Sequence, residues 1–252
     1  MVRPRRSVLA CAIFAASVTG ALAGCSSSDT PLTPTTAASA TTTAAVPPTG
    51  VKPASTPESE RALFDAVDRN DPAAVTAALT AGANIEARGE GERTPLVEAT
   101  KNNAVAAAST LILAGADVNA KDSMQDSAFL YSGAEGLNEI LALTLSHGAD
   151  VDSVNRYGGT ALIPASEHAH VETVRVLIAA GVPVNHVNDP GWTALLEAVV
   201  YGDGSARYVD VITQLLDAGA DPSIRDASGK TALDNAESRG QSDVVALLQS
   251  RR

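Results

Sequence analysis

The sequence predicts an all-α repeat solenoid, and three observations point to this fold class. A glycine-containing motif occurs five times, at spacings of 33, 33, 33 and 38 residues. A second motif recurs with the same spacing. Two motifs that share one period over five copies indicate a repeating structural unit rather than chance. The chain is also 45% apolar but only 3% aromatic. Because small side chains allow close helix contacts, this composition favours packed helices over a sheet sandwich.

Residues 1–24 have the pattern of an export signal. The basic start MVRPRR precedes an apolar stretch too short to be a convincing membrane span. The tetrapeptide Leu22-Ala23-Gly24-Cys25 resembles the bacterial lipobox, which implies that Cys25 is lipidated and becomes the new N-terminus. The resemblance implies a lipid anchor at the extracytoplasmic face of a bacterial cell membrane. The alternative is an ordinary secretory signal with a chance cysteine.

Residues 25–57 are expected to form a disordered tether after the lipidated cysteine. Twenty of the 32 positions in 26–57 are Ser, Thr or Pro, and they show no helical or strand period. Such a segment has too little apolar surface to offset the entropy of ordering. The tether therefore separates the predicted anchor from a folded domain at 58–252.

Each repeat of this domain is predicted to be a pair of helices joined to the next pair by a hairpin loop. The glycine motif occurs as TAGANIEA, LAGADVNA, SHGADVDS, AAGVPVNH and DAGADPSI, and the second motif as TPLVEA, SAFLYS, TALIPA, TALLEA and TALDNA. In the unit at 160–181, Thr160 is a good helix cap, and Gly181 can end the second helix in a left-handed conformation. That helix places four apolar residues at helical spacing, namely Val171, Val174, Leu177 and Ile178.

The 33-residue period with T-x-L-x-x-A and G-A-D-x-N resembles the ankyrin repeat. The resemblance covers residues 58–252 and implies about six helix–turn–helix units. Repeat three departs from the pattern with Ser127-Ala128-Phe129. Repeat five has five extra residues around GDGSARY at 202–208, which are expected to bulge between its two helices.

No constellation of residues predicts catalysis, a metal or a cofactor. The segment EHAH at 167–170 offers two histidines near a glutamate, but zinc sites need three or four protein ligands. Family resemblance places His170 in the turn between helices, where its ring bonds backbone groups. Glu98 and Glu197 are three repeats apart and cannot form a close acid/base pair. The protein is therefore not expected to be an enzyme.

The family resemblance implies that a protein partner contacts the hairpin tips and the exposed face of the first helices. The predicted binding residues are Arg93, Met124, Asp126, Arg156, Tyr157, Trp192 and Tyr201. Aromatic and arginine side chains are frequent at the energetic centres of interfaces. We expect Trp192 to be mostly displayed. The alternative is that its ring lies on Pro190 and Tyr157 and only stiffens the hairpins.

Two functions are consistent with this sequence. The first is a membrane-tethered, extracytoplasmic protein-interaction module, expected to be a monomer, whose partner has basic and apolar patches. The second is an accessory factor in peroxide or stress defence associated with a catalase, which rests on a resemblance of cellular setting only. Nucleic acid is a disfavoured partner, because residues 25–252 contain 15 basic and 29 acidic residues, a charge of −14.

Overall fold

The computed structural model describes residues 53–251, and the all-α repeat solenoid is confirmed there. The predicted export signal, Cys25 and nearly all of the tether lie outside the described residues. None of the helices within residues 53–251 combines the length and the hydropathy of a membrane-spanning segment. Twelve α-helices form six consecutive pairs: α1 Pro57–Asp68, α2 Pro72–Thr80, α3 Pro95–Lys101, α4 Val105–Leu113, α5 Ala128–Ala134, α6 Asn138–Ser146, α7 Leu162–Glu167, α8 Val171–Ala179, α9 Ala194–Val200, α10 Ala206–Asp217, α11 Ala232–Ser238 and α12 Ser242–Ser250.

The first helix of most repeats begins at a hydroxyl side chain. The oxygen of this residue accepts a hydrogen bond from the backbone N–H three residues later, which satisfies a donor that has no partner within the helix. Five residues cap their helices in this way, namely Thr56, Thr94, Ser127, Thr193 and Thr231. The second motif of the sequence therefore starts the first helix of repeats two, three, five and six.

Repeat four breaks this rule, and the prediction that Thr160 caps α7 is wrong. The helix begins at Leu162 with Ala161 as its N-cap, and the Thr160 hydroxyl is buried without a hydrogen-bond partner. Pro164 is the reason, because proline has no N–H to donate to the Thr160 carbonyl. In repeat five the equivalent bond joins Glu197 N–H to the Thr193 carbonyl at 2.9 Å.

The insertion in repeat five differs from the predicted bulge. Part of it forms helix, so that α10 has 12 residues whereas α8 has nine. The side chains of the inserted turn bind the end of α7 in the preceding repeat. The Tyr208 hydroxyl donates to the Glu167 carbonyl at 2.9 Å, and Arg207 Nη2 donates to the His168 carbonyl at 2.8 Å. The insertion therefore fastens two repeats together.

The core runs through the stack as two clusters of buried side chains that meet in repeat three. One cluster extends from Leu63 to Ile140 and the other from Phe129 to Leu248. In repeat four, Val174 and Leu177 are fully buried as predicted, while Val171 and Ile178 are half-buried at the edge of the core. Because each repeat packs on its neighbours, the first helices form one continuous layer, and each second helix packs against the first helix of its own repeat.

Candidate functional site

The hairpin loops form one edge of the site. Each loop is closed by a backbone bond, such as Asn188 N–H to the Trp192 carbonyl at 3.0 Å. Adjacent hairpins are also joined, because Asp189 N–H donates to the Tyr157 carbonyl at 2.9 Å. An alanine in place of Gly158 would bring its Cβ within 2.5 Å of the Asp189 carboxylate. The hairpins of repeats four and five are therefore held in close register.

A groove of about 400 Å³ lies between these hairpins and the first helices of repeats three, four and five. Polar and aromatic side chains dominate its lining. The residues that line it are Asp126, Tyr131, Ala134, Glu135, Asn155, Arg156, Tyr157, Gly159, Ile163, Pro164, Glu167, His168, Asn188, Pro190, Glu197 and Tyr201.

Four of the seven predicted binding residues line this groove, namely Asp126, Arg156, Tyr157 and Tyr201. The two tyrosines are exposed, at 53% for Tyr157 and 57% for Tyr201. Met124 is exposed on its hairpin outside the groove lining, and Arg93 is half-buried in repeat two. The structure therefore concentrates the predicted surface on repeats three to five.

The prediction that Trp192 is mostly displayed is wrong. Trp192 is half-buried, and it packs against the larger core cluster. Its ring lies 6.0 Å from the Tyr201 ring, at 42°. Trp192 therefore supports Tyr201 from the side and does not line the groove itself.

Two basic side chains at the groove, Lys101 and Arg156, already contact acidic or aromatic side chains of this chain. Lys101 Nζ lies 2.9 Å from Asp126 and 3.5 Å from Asp122, and 4.0 Å from the centre of the Tyr131 ring. The Arg156 guanidinium lies 4.5 Å from the centre of the Tyr157 ring. Two tyrosine rings of the groove therefore already carry a cation.

Glu197 is a buried carboxyl in the lining of the groove. The residue is only 7% exposed; Oε1 accepts from Asn188 Nδ2 at 3.3 Å, and Oε2 is buried without a hydrogen-bond partner among residues 53–251. Burial, reinforced by the charge of Glu167, raises the pKa of Glu197 to about 7, although the Asn188 bond opposes the shift. Glu197 is consequently the most perturbed acid in the groove.

The two histidines of EHAH lie in no group of potential metal ligands within the described part of the chain. The described residues 53–251 contain no cluster of three His, Cys, Asp or Glu side chains able to hold a metal ion. The expected hydrogen bond from His170 to the backbone is also absent there. Its ring instead packs against Gly136 and lies 5.7 Å from the His168 ring, and burial lowers the pKa of His170.

Glu197 is not among the binding residues predicted from the sequence, although a signal was present. Glu98 occupies the same position in repeat two. Arg93, five residues earlier, forms a salt bridge with it, with 3.1 Å between Arg93 Nη1 and Glu98 Oε2. In repeat five the residue five positions before Glu197 is Trp192, which cannot neutralise a carboxylate. Repeat two has Arg93 and Glu98 at these two positions, whereas repeat five has Trp192 and Glu197. This comparison would have identified Glu197 as a carboxylate without the arginine partner that Glu98 has.

Comparison with known proteins decides the family. The family described as "Ankyrin repeats (3 copies)" matches residues 129–226, and that described as "Ankyrin repeat" matches residues 91–123. Together these matches cover just over half of the chain. The chain belongs to the ankyrin-repeat family. Ankyrin arrays are typically protein-interaction scaffolds without catalytic activity.

Solved structures agree with this assignment. An ankyrin-repeat domain from Acinetobacter baumannii AYE is 52% identical, with a TM-score of 0.73, covering 75% of this chain and 96% of that one. A second ankyrin-repeat protein is 39% identical, with a TM-score of 0.72, covering 75% and 97%. A structure of a predatory endopeptidase from Bdellovibrio bacteriovorus in complex with an immunity protein also matches, at 23% identity, a TM-score of 0.66, and coverage of 76% and 98%. This last likeness shows the fold alone.

Proposed function

We propose that this ankyrin array is a membrane-tethered, extracytoplasmic protein-interaction module, and that its partner binds in the groove of repeats three to five. The observation that carries the proposal is the pair of exposed rings, Tyr157 and Tyr201, in the lining of a groove whose Glu135, Glu167 and Glu197 form no salt bridge within residues 53–251. Exposed aromatic side chains held in a concavity are typical of binding hot spots.

The groove is also held rigidly before any partner arrives. The hairpins are bonded to each other, and the Arg207 and Tyr208 side chains fasten the end of α7. A preformed surface loses little conformational entropy on binding, so that more of the contact energy appears as affinity. The tethering part of the proposal rests on the sequence of residues 1–57, in which the lipobox and the Ser/Thr/Pro-rich segment precede the repeats.

A capture experiment with matched variants tests the binding part. The full chain is used as bait on detergent-solubilised membranes, as wild type, as Tyr157→Ala/Tyr201→Ala, and as Leu113→Ala. Leu113 is the control because it is 72% exposed on α4 and does not line the groove. Wild type and Leu113→Ala should retain the same stoichiometric partner.

The double tyrosine variant should retain at least about 30-fold less of that partner, since each hot-spot ring contributes roughly 1–2 kcal/mol or more. An unchanged thermal unfolding midpoint would show that the variant is folded. Equal capture by all three proteins would contradict a binding site in this groove.

A further inference from the structure

We propose that the groove accepts an arginine side chain of the partner, with the guanidinium held between the Tyr201 ring and the carboxylates of Glu167 and Glu197. The inference rests on the proposed function, because it names the chemistry of the group that the same groove binds. It assigns a specific cation site within a broader protein-binding surface.

The ring of Tyr201 is the first reason. Three tyrosines line the groove, and two of them are covered by cations of this chain, Lys101 on Tyr131 and Arg156 on Tyr157. Among residues 53–251, no cation of the chain lies over Tyr201. Its ring contacts Trp192 at one side and is otherwise 57% exposed. Tyr201 is therefore the groove ring that is open to a cation from outside.

The carboxylates are the second reason. Within the described part of the chain, Glu135, Glu167 and Glu197 make no salt bridge, although all three line the groove. Two neighbouring acids without a cation repel each other, and the unpartnered Oε2 of Glu197 lies buried beneath the groove surface. A buried polar atom without a partner costs free energy that a new donor would recover. Apart from the exposed imidazole of His168, the described lining offers these carboxylates no cationic side chain that is free of other contacts.

The basic residues nearby cannot supply that donor without breaking other bonds. Arg207 Nη2 donates to the His168 and Ala169 carbonyls at 2.8 and 3.0 Å, and Lys101 binds Asp126. Arg156 lies on the Tyr157 ring. The missing cation is therefore expected to come from another molecule, and the acidity of the whole chain favours a basic partner.

Arginine fits this site better than lysine does. A guanidinium is planar, so that one face can stack on an aromatic ring while its edge donates two parallel hydrogen bonds to a carboxylate. The groove offers both features side by side, since Glu197 and Tyr201 lie one helical turn apart at the end of α9. Lysine would provide a point charge without the second planar contact.

Residue-resolved NMR of the full chain tests the proposal with a defined probe. N-acetyl-arginine amide is titrated at pH 8, above the pKa of about 7 for Glu197. Its neutral isostere, N-acetyl-citrulline amide, is titrated in parallel. Arginine should shift the backbone signals of Glu167, Glu197 and Tyr201, and citrulline should bind at least about tenfold more weakly.

Variants with a matched control complete the test. Glu197→Gln and Tyr201→Ala should each weaken arginine binding about tenfold or more, whereas Glu98→Gln should leave it unchanged. Glu98 is the control because it holds the same repeat position but is already paired with Arg93. Conserved signal dispersion in each variant shows that the array is folded.

Equal shifts from citrulline and arginine would overturn the cation site, as would an unchanged arginine affinity in Glu197→Gln. Either result can coexist with loss of partner capture by Tyr157→Ala/Tyr201→Ala, in which case the proposed groove stands and only its arginine specificity falls. If the double variant captures the partner normally, the proposed function itself is wrong.

Discussion

At the scale of single residues, Glu98 and Glu197 show how one repeat position acquires two different properties. Both follow the cap threonine by four positions, in helices that begin in the same way. Glu98 binds Arg93, while Glu197 lines the groove with Asn188 as its hydrogen-bond donor. Burial, reinforced by the charge of Glu167, raises the pKa of Glu197 to about 7.

Replacing this acid should change how stability depends on pH. The pKa of Glu197 is raised in the folded state from an ordinary 4.5 to about 7. The folded protein therefore binds more protons between these values, so its stability falls as pH rises through that window. Glu197→Gln does not titrate and should be more stable than wild type at pH 8, by up to about 3 kcal/mol.

Chemical denaturation at pH 5 and pH 8 measures this effect. The two proteins should differ little at pH 5, where Glu197 is largely protonated, and most at pH 8. Glu98→Gln is the control and should show no gain at pH 8, because it loses a salt bridge with Arg93. If the free energy of unfolding changes with pH in the same way for wild type and Glu197→Gln, then ionisation of the buried carboxyl does not destabilise the folded state.

Trp192 should be more important for stability than a displayed side chain. It is half-buried against the larger core cluster and touches Tyr201. Trp192→Ala should therefore lower the free energy of unfolding by about 2 kcal/mol, less than the roughly 3–5 kcal/mol of a fully buried tryptophan. Iodide should quench the single tryptophan only partly. Complete quenching, together with a loss of unfolding free energy below about 0.5 kcal/mol in Trp192→Ala, would show that Trp192 is exposed at the surface.

At the scale of helices, the repeat pattern predicted which segments pair, but local details depended on single residues. The period fixed the six units, and a glycine such as Gly181, with φ of +87°, ends its helix as expected. The late start of α7 could be predicted only from Pro164, because proline has no N–H to donate to the Thr160 carbonyl. The lengthened α10 depends on contacts with α7, which lie about 40 residues away in sequence and leave no periodic signal.

Leu177 on α8 tests the assignment of the core helix face. Its side chain is fully buried within the cluster shared by repeats three to six. Leu177→Ala should cost about 2–5 kcal/mol, while Leu113→Ala on the exposed face of α4 should cost less than about 0.5 kcal/mol. In hydrogen exchange, amides of the adjoining repeats should lose more protection than those of repeat one. Similar losses for both variants would contradict this assignment.

At the scale of the whole molecule, the sequence predicted which edge of the array displays its side chains but not where they converge. Arg93 and Met124 satisfied the same positional rule as Tyr157 and Tyr201, yet only the tyrosines line the groove. The groove depends on the relative placement of three repeats and on the hydrogen bonds between hairpins. Such features arise from packing between units and cannot be read from the pattern within one unit.

The predicted membrane anchor has a direct chemical test. Wild-type chain expressed with an alkyne-bearing palmitate analogue should be labelled, because a lipobox cysteine carries acyl chains. Cys25→Ser should not be labelled, while Cys11→Ser should be labelled as wild type since Cys11 lies within the predicted signal segment. Equal labelling of wild type and Cys25→Ser would refute lipidation at Cys25.

The most direct test of the account is site-specific photo-cross-linking in intact cells. A photoreactive phenylalanine analogue, which keeps an aromatic ring, replaces Tyr157 or Tyr201 in the groove, or Leu113 on the exposed face of α4. The structure predicts that positions 157 and 201 form a cross-link to the same partner protein, whereas position 113 gives none above background. A partner cross-linked from position 113 but from neither groove position would contradict the central claim that this ankyrin array binds its partner between repeats three and five.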